Sequence, residues 1–255
     1  MKVFSVIGLH NSGKTTCVEN LIKYIKSNKM SISSIKDIHQ DNFTMEKEGS
    51  NSQRHLKASN SYVFARGLKE TYLIWNRQLA YKEMLSHIST QWLVVEGMKE
   101  IILPKIIAAK NEQEVDELLD DTVFAITGII ADSGIKSYKG LPVISSISES
   151  NRLGKLVLEK VFEALPLAKD GYCGHCGFNC YEITAGILNG TKKRTDCALK
   201  TGEISGKTAP ISIIFNDEEV AINEWVQQIA YDMITGFCQN LKGYKSGEKI
   251  TIKLN

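Results

Sequence analysis

The chain has 255 residues, of which 43% are hydrophobic and 24% charged, a composition that can bury a substantial core and is typical of a globular protein. Its 31 basic and 29 acidic residues leave a formal net charge of +2, which argues against nucleic-acid binding through a strongly basic face. No apolar run approaches the roughly 20 residues that a bilayer span requires, and the apolar stretch at the N-terminus is too short for a secretory signal. We therefore expect a cytoplasmic protein that binds neither nucleic acid nor membrane.

The first two thirds of the chain alternate between strand and helix patterns. Lys2–Ile7 is a short apolar strand, and apolar residues at helical spacing then predict a helix from Lys14 to about Ser27. Further strand patterns follow at residues 31–35, 62–65, 71–75, 92–95, 105–109, 122–130 and 141–145. This alternation indicates a doubly wound, mostly parallel α/β sheet. The polar segment 37–60 has no predicted element, and loops of that length are usually functional or mobile.

The character of the sequence changes after Leu165. Residues 171–200 are rich in cysteine and glycine, and the remainder predicts a strand at 211–215, a helix at 225–237 and a final strand at 250–254. We therefore expect two domains, an α/β domain at residues 1–165 and a small α+β cysteine-rich domain at residues 166–255.

A phosphate-binding motif connects the first strand to the first helix. The sequence G-L-H-N-S-G-K-T at 8–15 fits G-x-x-x-x-G-K-[ST] in the strand–loop–helix context that a P-loop requires. Its glycines let backbone N–H groups converge on one point, where the helix N-terminus adds positive potential. Lys14 can reach the β- and γ-phosphates, and the Thr15 hydroxyl can ligate Mg²⁺. The residues predicted to hold the nucleotide are Gly8, Asn11, Ser12, Gly13, Lys14, Thr15 and Thr16.

Acidic residues near strand ends complete the predicted site. Glu96 ends an apolar run and is expected to position Mg²⁺ directly or through water. Asp37 ends the second strand and could approach the γ-phosphate or its metal. The chain has no N/T-K-x-D sequence to pair with guanine, and Asp132 is the comparable position after a late strand. We assign catalytic roles to Lys14, Asp37 and Glu96, and base recognition to Asp132.

Four cysteines in the C-terminal region have the spacing of a metal site. Cys173, Cys176 and Cys180 form C-x₂-C-x₃-C, and Cys197 lies further along the chain. In a protein without a secretory signal, such cysteines point to metal or redox use before disulfides. Four thiolates suffice for a [4Fe–4S] cluster, and zinc accepts the same set. Three close thiols with a distant fourth favour iron–sulfur over zinc, and unmetallated cysteines are the third alternative.

Several segments together resemble the molybdopterin-guanine dinucleotide biosynthesis protein B (MobB) family. The similarity rests on the P-loop, on I-K-D-I-H at 35–39, on G-S-N-S-Q-R-H at 49–55, on V-E-G-M-K at 95–99 and on L-P-K-I at 103–106. Asn51 stands where the family usually has an aspartate. The resemblance implies a dimeric GTP-binding accessory protein, a slow GTPase that works with molybdenum- or tungsten-cofactor biosynthesis proteins. It also implies a nucleotide- or partner-facing loop that contains Asp37, His39, Arg54 and His55.

The cysteine-rich segment resembles small iron–sulfur domains with C-G-x-C-G and a later cysteine, such as those of membrane electron-transport B subunits. Their third cysteine usually follows after four residues, and here it follows after three. Two functions are therefore open: a GTP-dependent accessory factor with an iron–sulfur extension, or a nucleotide-gated iron–sulfur electron carrier. In a third interpretation the cluster is purely structural and its domain binds a partner protein.

Overall fold

The computed structural model describes residues 1–40, 43–166, 176–197 and 199, together with 213–215, 218–220, 230, 233, 234 and 236–238. For 213–215 and 218–220 it describes the backbone alone. Cys173, most of the helix predicted at 225–237 and the strand predicted at 250–254 lie outside the described residues.

The elements predicted within the described residues occur in the predicted order, and further short elements lie between them. The strands are β1 (Lys2–Ile7), β2 (Ile32–Lys36), β3 (Tyr62–Arg66), β4 (Thr71–Trp75), β5 (Trp92–Glu96), β6 (Lys105–Ala108), β7 (Val123–Thr127), β8 (Ser137–Tyr138), β9 (Leu141–Pro142), β10 (Ile213–Phe215) and β11 (Glu218–Val220). The helices are α1 (Lys14–Ser27), α2 (Asn51–Ser59), α3 (Tyr81–Ser86), α4 (Glu112–Asp116), α5 (Ser150–Lys160) and α6 (Cys180–Asn189). Two short 3₁₀ helices span Ile129–Ser133 and Arg194–Asp196.

A five-stranded parallel sheet in the order β2-β5-β1-β6-β7 forms the centre of the fold. Successive side chains of a strand point to opposite faces, so β1 contributes to two apolar layers. Phe4 and Val6 pack with buried residues of α1 and α5, whereas Val3 packs with α3. Ile7 packs with α4 and the 3₁₀ helix after β7. Helices on both faces confirm the predicted doubly wound α/β fold.

Strands β3 and β4 do not join the parallel sheet. They pair with each other as an antiparallel hairpin, in register from Tyr62 opposite Trp75 to Arg66 opposite Thr71. Several large apolar side chains of this hairpin remain exposed, namely Tyr62, Phe64, Leu68 and Tyr72. The hairpin contacts α2 through β3, and the face that carries Tyr62 and Phe64 still exposes large apolar side chains.

The polar segment 37–60 contains a helix that the apolar pattern did not predict. Its start is marked by Ser50, whose hydroxyl accepts a hydrogen bond from the Gln53 amide at 3.2 Å, while the Gln53 side chain accepts from the Gly49 amide at 2.7 Å. The Glu46 carboxylate also accepts hydrogen bonds from the hydroxyls of Ser50 and Ser52. The sequence S-x-x-Q at this point is the usual capping signal, and it could have revealed α2.

The predicted strand at 122–130 is too long at its C-terminal end. Its regular pairing ends at Thr127, because Gly128 takes φ 94° and ψ −158° and turns the chain into the following 3₁₀ helix. The strand predicted at 141–145 is likewise reduced to β9, with Val143 continuing as an isolated parallel bridge to Ile126.

Helix α6 attaches the cysteine-containing segment to the α/β core. Asn179 and Glu182 cap its N-terminus reciprocally, and Leu188 reaches the layer formed by α1 and α5. Lys160 at the end of α5 donates a hydrogen bond to the Leu188 carbonyl at 3.2 Å. Within the part of the chain that the structure describes, none of the helices is long and apolar enough to cross a membrane.

Candidate functional site

The P-loop turns between β1 and α1 as its motif predicts. Gly13 precedes α1 with φ 97°, a conformation that favours glycine. A Cβ atom on Gly8 would overlap the Ala108 carbonyl oxygen and lie 2.6 Å from the Ser12 hydroxyl. Ser12 is itself fully buried. Both motif glycines are therefore required by the geometry of the loop, which lies at the carboxyl ends of β1 and β6.

Thr15 and Glu96 come together beside the P-loop. The Thr15 hydroxyl donates a hydrogen bond of 2.8 Å to Glu96 Oε1, and the Glu96 side chain is 9% exposed. Two oxygens in neighbouring positions of an octahedral Mg²⁺ site, each about 2.1 Å from the metal, are about 3 Å apart. The spacing of this pair therefore suits a magnesium ion, and the metal-binding roles of both residues stay predictions.

Lys36 also belongs to this group, although the sequence did not indicate it. It ends β2 directly opposite Glu96 in the parallel register of β2 and β5. Its Nζ atom lies 2.8 Å from Glu96 Oε1 and 3.2 Å from Thr15 Oγ1. An ammonium group thus bridges the two oxygens that suit a metal.

Lys14 folds back on its own loop. Its ammonium group donates a hydrogen bond of 2.5 Å to the Leu9 carbonyl. Partial burial lowers the pKa of Lys14, Glu96 opposes that shift, and the positive charge of Lys36 adds to it. Because the side chain is long and its partner is a backbone carbonyl, it can exchange this contact for a phosphate without disturbing the core.

Asp37 lies next to Glu96 at the carboxyl edge of the sheet. Its backbone amide donates to the Glu96 carbonyl at 2.9 Å, and its carboxylate is 3.1 Å from His39 Nε2. Gly97 follows Glu96 with φ 97°, and a Cβ atom there would lie 3.0 Å from the Asp37 Cβ. The structure therefore brings Asp37, His39 and Glu96 together, as the sequence predicts for Asp37 and Glu96.

Arg54 and His55 lie elsewhere. Both side chains are exposed on α2, and within the described residues neither forms a hydrogen bond or an ion pair with the P-loop.

Asp132 lies in the 3₁₀ helix after β7, with an exposed side chain. The turn that precedes this helix contacts the P-loop closely, because a Cβ atom on Gly128 would overlap the Ser12 carbonyl oxygen. The loop at 145–148 lies alongside, where the Ser146 amide donates to Thr127 Oγ1 at 3.2 Å and the Ser146 carbonyl accepts from Asn20 of α1 at 2.8 Å. Gly128 is a site residue that the sequence did not indicate.

Three of the four predicted metal-binding cysteines share one apolar cluster. We call it the C-terminal cluster, and it consists of Leu165, Cys180, Ile183 and Cys197, with Ile102, Phe162, Cys176, Ile187 and Leu199 at its edge. Cys180 and Cys197 are buried and none of the three forms a disulfide. Within the described residues, which exclude Cys173, no three metal-binding side chains converge closely enough to hold an ion.

Arg194 fixes the loop that carries Cys197. Its guanidinium donates to four backbone carbonyls, at 2.8 Å to Glu163, 3.2 Å to Ala164, 2.8 Å to Leu199 and 3.3 Å to Cys197. Glu163 forms a bridge with Lys2 at the start of β1. The C-terminal cluster therefore lies at the amino edge of the sheet, and the P-loop lies at the carboxyl edge.

A parallel sheet with a P-loop after β1 and a carboxylate at the end of the adjacent β5 defines a P-loop nucleotide-binding fold. The family model for molybdopterin guanine dinucleotide synthesis protein B, MobB, matches residues 3–132, which is about half of the chain. The chain therefore belongs to the MobB family. The crystal structure of Bacillus subtilis MobB has the same fold, with a TM-score of 0.52 at 20% identity, and the match covers all of that chain and 64% of this one.

Two relatives differ in how much of the chain they match. A Methanocaldococcus jannaschii protein, provisionally named a molybdopterin-guanine dinucleotide biosynthesis adapter protein, is 26% identical over 100% of this chain and 98% of its own length. The molybdopterin-guanine dinucleotide biosynthesis adapter protein of Haemophilus influenzae is 30% identical over 126 residues, 45% of this chain and 70% of its own length. The C-terminal third is thus shared with the first relative and extends beyond the Bacillus structure.

Proposed function

We propose that the chain is a GTP-binding adapter, and a slow GTPase, in the maturation of a molybdenum or tungsten cofactor to its guanine dinucleotide form. Membership of the MobB family supports the role in molybdenum-cofactor biosynthesis. The observation that carries the nucleotide assignment is the group formed by Lys14, Thr15 and Glu96 beside the P-loop.

Each residue of this group has a definite part in nucleotide binding. The backbone amides of the P-loop and the N-terminus of α1 face the phosphates, and Lys14 supplies a mobile positive charge. Thr15 and Glu96 would hold Mg²⁺, which neutralises charge on the β- and γ-phosphate oxygens when it is bound. Asp37, oriented by His39 at 3.1 Å, is the carboxylate placed to position a water at the γ-phosphate.

Replacement of Lys14 tests the phosphate site. Lys14→Ala should abolish GTP binding and leave the unfolding transition unchanged, since the side chain takes no part in the core. Lys23→Ala removes the same charge from an exposed position of α1 and serves as the control. Calorimetric titration with Mg·GTP provides the measurement. Tight binding of GTP by a folded Lys14→Ala protein contradicts the assignment.

Base selection is tested separately. If Asp132 accepts the N–H donors of guanine, Asp132→Ala should weaken GTP binding by a few kcal/mol and barely alter ATP binding, because adenine presents the wrong pattern. Equal affinity of the wild-type protein for ATP and GTP would remove the guanine assignment. A silent Asp132→Ala with GTP preference retained would move base recognition to the neighbouring loop at 145–148.

We also propose that Cys173, Cys176, Cys180 and Cys197 bind a [4Fe–4S] cluster, with zinc as the alternative. The position of the three described cysteines in one apolar cluster supports a shared metal centre, and the full-length match to the archaeal relative supports a common C-terminal domain beginning near residue 166.

Metal analysis after anaerobic purification distinguishes these alternatives. We expect a brown protein with about four irons per chain. Replacement of any one of the four cysteines by serine should remove the colour, and Cys17→Ala should not, because Cys17 is a buried residue of α1 that packs in the core of the α/β fold. A colourless protein with one tightly held zinc would show that the four cysteines bind zinc and not an iron–sulfur cluster.

A homodimer is the third element of the proposal. The exposed Tyr62 and Phe64, which share one face of the β3–β4 hairpin, support it, because a second hairpin would cover them. Phe64→Asp should convert the dimer to a monomer in light scattering, while Ile147→Asp, at another exposed apolar position, should not. A wild-type monomer at micromolar concentration would contradict it.

A further inference from the structure

The ammonium group of Lys36 occupies the place that suits a metal ion. Its Nζ is 2.8 Å from Glu96 Oε1 and 3.2 Å from Thr15 Oγ1, and these two oxygens are themselves 2.8 Å apart. A cation in that position neutralises the buried Glu96 carboxylate, whose side chain is 9% exposed. A Mg²⁺ ion bound to the same two oxygens would lie close to the Lys36 ammonium group, and the two positive charges would repel each other.

We propose that Lys36 is an internal substitute for the metal, which closes the magnesium site in the nucleotide-free protein and leaves it when Mg²⁺ enters with the nucleotide. The inference rests on the proposed nucleotide function.

Lys36 is able to move in this way. It is the last residue of β2, an edge strand, and its side chain is 53% exposed, whereas Glu96 is fixed in the fully buried β5. Because about half of the Lys36 side chain is already exposed, its rotation towards solvent or the γ-phosphate costs little packing. The positive charge of Lys36 also acts at the P-loop, since it contributes to the lowered pKa of Lys14.

The arrangement makes metal and nucleotide binding cooperative. Without nucleotide, Mg²⁺ must displace Lys36 and face its repulsion. With nucleotide, the phosphates offer the ammonium an anionic partner and offer the metal further oxygens. Metal binding should then be weak alone and strong with GTP, and by linkage each should strengthen the other by the same factor.

Mn²⁺ binding to the full-length, nucleotide-free protein tests the proposal, with free Mn²⁺ followed by electron paramagnetic resonance. Lys36→Met removes the competing ammonium and should raise Mn²⁺ affinity on the order of tenfold or more. Glu96→Gln added to Lys36→Met should abolish that gain, which would locate the ion.

Lys110→Met is the matched control. Lys110 also lowers the pKa of Lys14, so its charge acts on the same site, but its ammonium pairs with Glu114 at 2.8 Å and not with Glu96. The Lys110→Met substitution should leave the Mn²⁺ affinity within about twofold of the wild-type value. Unchanged Mn²⁺ affinity in Lys36→Met overturns the proposal, and so does an equal rise in both variants, which would indicate a general charge effect.

A parallel GTP titration separates this inference from the proposed function. If all variants bind GTP but Lys36→Met gains no Mn²⁺ affinity, the role of Lys36 is wrong and the nucleotide function stands. If the wild-type protein binds no GTP, the nucleotide function fails, whatever the Mn²⁺ result.

Discussion

Gly128 offers a direct test of how the chain after β7 supports the P-loop. Its φ of 94° and ψ of −158° fall in a region that is essentially restricted to glycine. A Cβ atom there would overlap the Ser12 carbonyl oxygen and lie 2.7 Å from the Ala109 carbonyl oxygen. Both neighbours are backbone atoms, which cannot rotate away as a side chain can. Gly128→Ala must therefore displace either the P-loop or the segment after β6.

The size of the effect follows from two contributions. Backbone strain at such a conformation costs about 1–3 kcal/mol, and overpacking against fixed atoms adds about 1–3 kcal/mol. Gly134 provides the control, because it ends the same 3₁₀ helix with φ 86° and has nothing within 4 Å of its Cβ position. Gly134→Ala should therefore cost only about 1–2 kcal/mol of backbone strain.

Urea unfolding and GTP titration of both variants measure the difference. Gly128→Ala should lose at least about 1 kcal/mol more unfolding free energy than Gly134→Ala, from the overpacking contribution. It should also bind GTP more weakly, because Ser12 belongs to the phosphate loop. Equal destabilisation of the two variants, or normal GTP affinity in Gly128→Ala, would refute the reasoning.

Three further predictions concern other parts of the molecule. Partial burial opposes ionisation of Asp120, but Lys105 Nζ at 2.6 Å and the hydrogen bonds from Thr122 outweigh it, so the pKa of Asp120 lies below its usual range. Asp120→Asn should therefore lower the free energy of unfolding by about 2 kcal/mol at neutral pH. In urea unfolding, the difference in stability between the wild type and Asp120→Asn should disappear as the pH falls through the lowered pKa of Asp120. In Arg194→Lys, one ammonium group cannot replace the guanidinium at four carbonyls, so the loop that carries Cys197 should loosen and Cys197 should be alkylated faster in the metal-free protein. An unchanged rate of alkylation would show that Arg194 does not hold the loop. Glu96→Gln should weaken the Mg²⁺ dependence of GTP and ATP binding alike, measured by calorimetry with and without the metal.

The features that the sequence predicted well are local ones. The P-loop is defined by eight consecutive residues, and the strand–loop–helix context around it depends on apolar patterns of similar length. The sheet strands β1, β5 and β6 were therefore located to within one residue at each end. Glu96 was identified because it directly follows an apolar run that the sheet buries completely.

Features that depend on pairing between distant segments were missed. Lys36 reaches Glu96 only because β2 and β5 pair in a register that sets these two residues opposite each other, and a one-residue slip would turn Lys36 to the other face. The tight contact of Gly128 with Ser12 likewise depends on the neighbouring positions of β1, β6 and β7. Helix α2 was missed for another reason, since its sequence is strongly polar and it buries one apolar residue, Leu56.

The positions of the two sites bear on the choice between an adapter and an electron carrier. The first residues of β1 lie beside the segment whose carbonyls accept hydrogen bonds from Arg194, and its last residue lies beside the P-loop. A six-residue strand, about 20 Å long, therefore separates the C-terminal cluster from the P-loop. That strand is central and almost fully buried, and closely packed interiors resist gradual deformation. A nucleotide at the carboxyl edge and the C-terminal cluster at the amino edge therefore lie at opposite ends of the rigid centre of the sheet. The geometry favours two sites that act separately, one for nucleotide and one for a partner or metal, as an adapter requires.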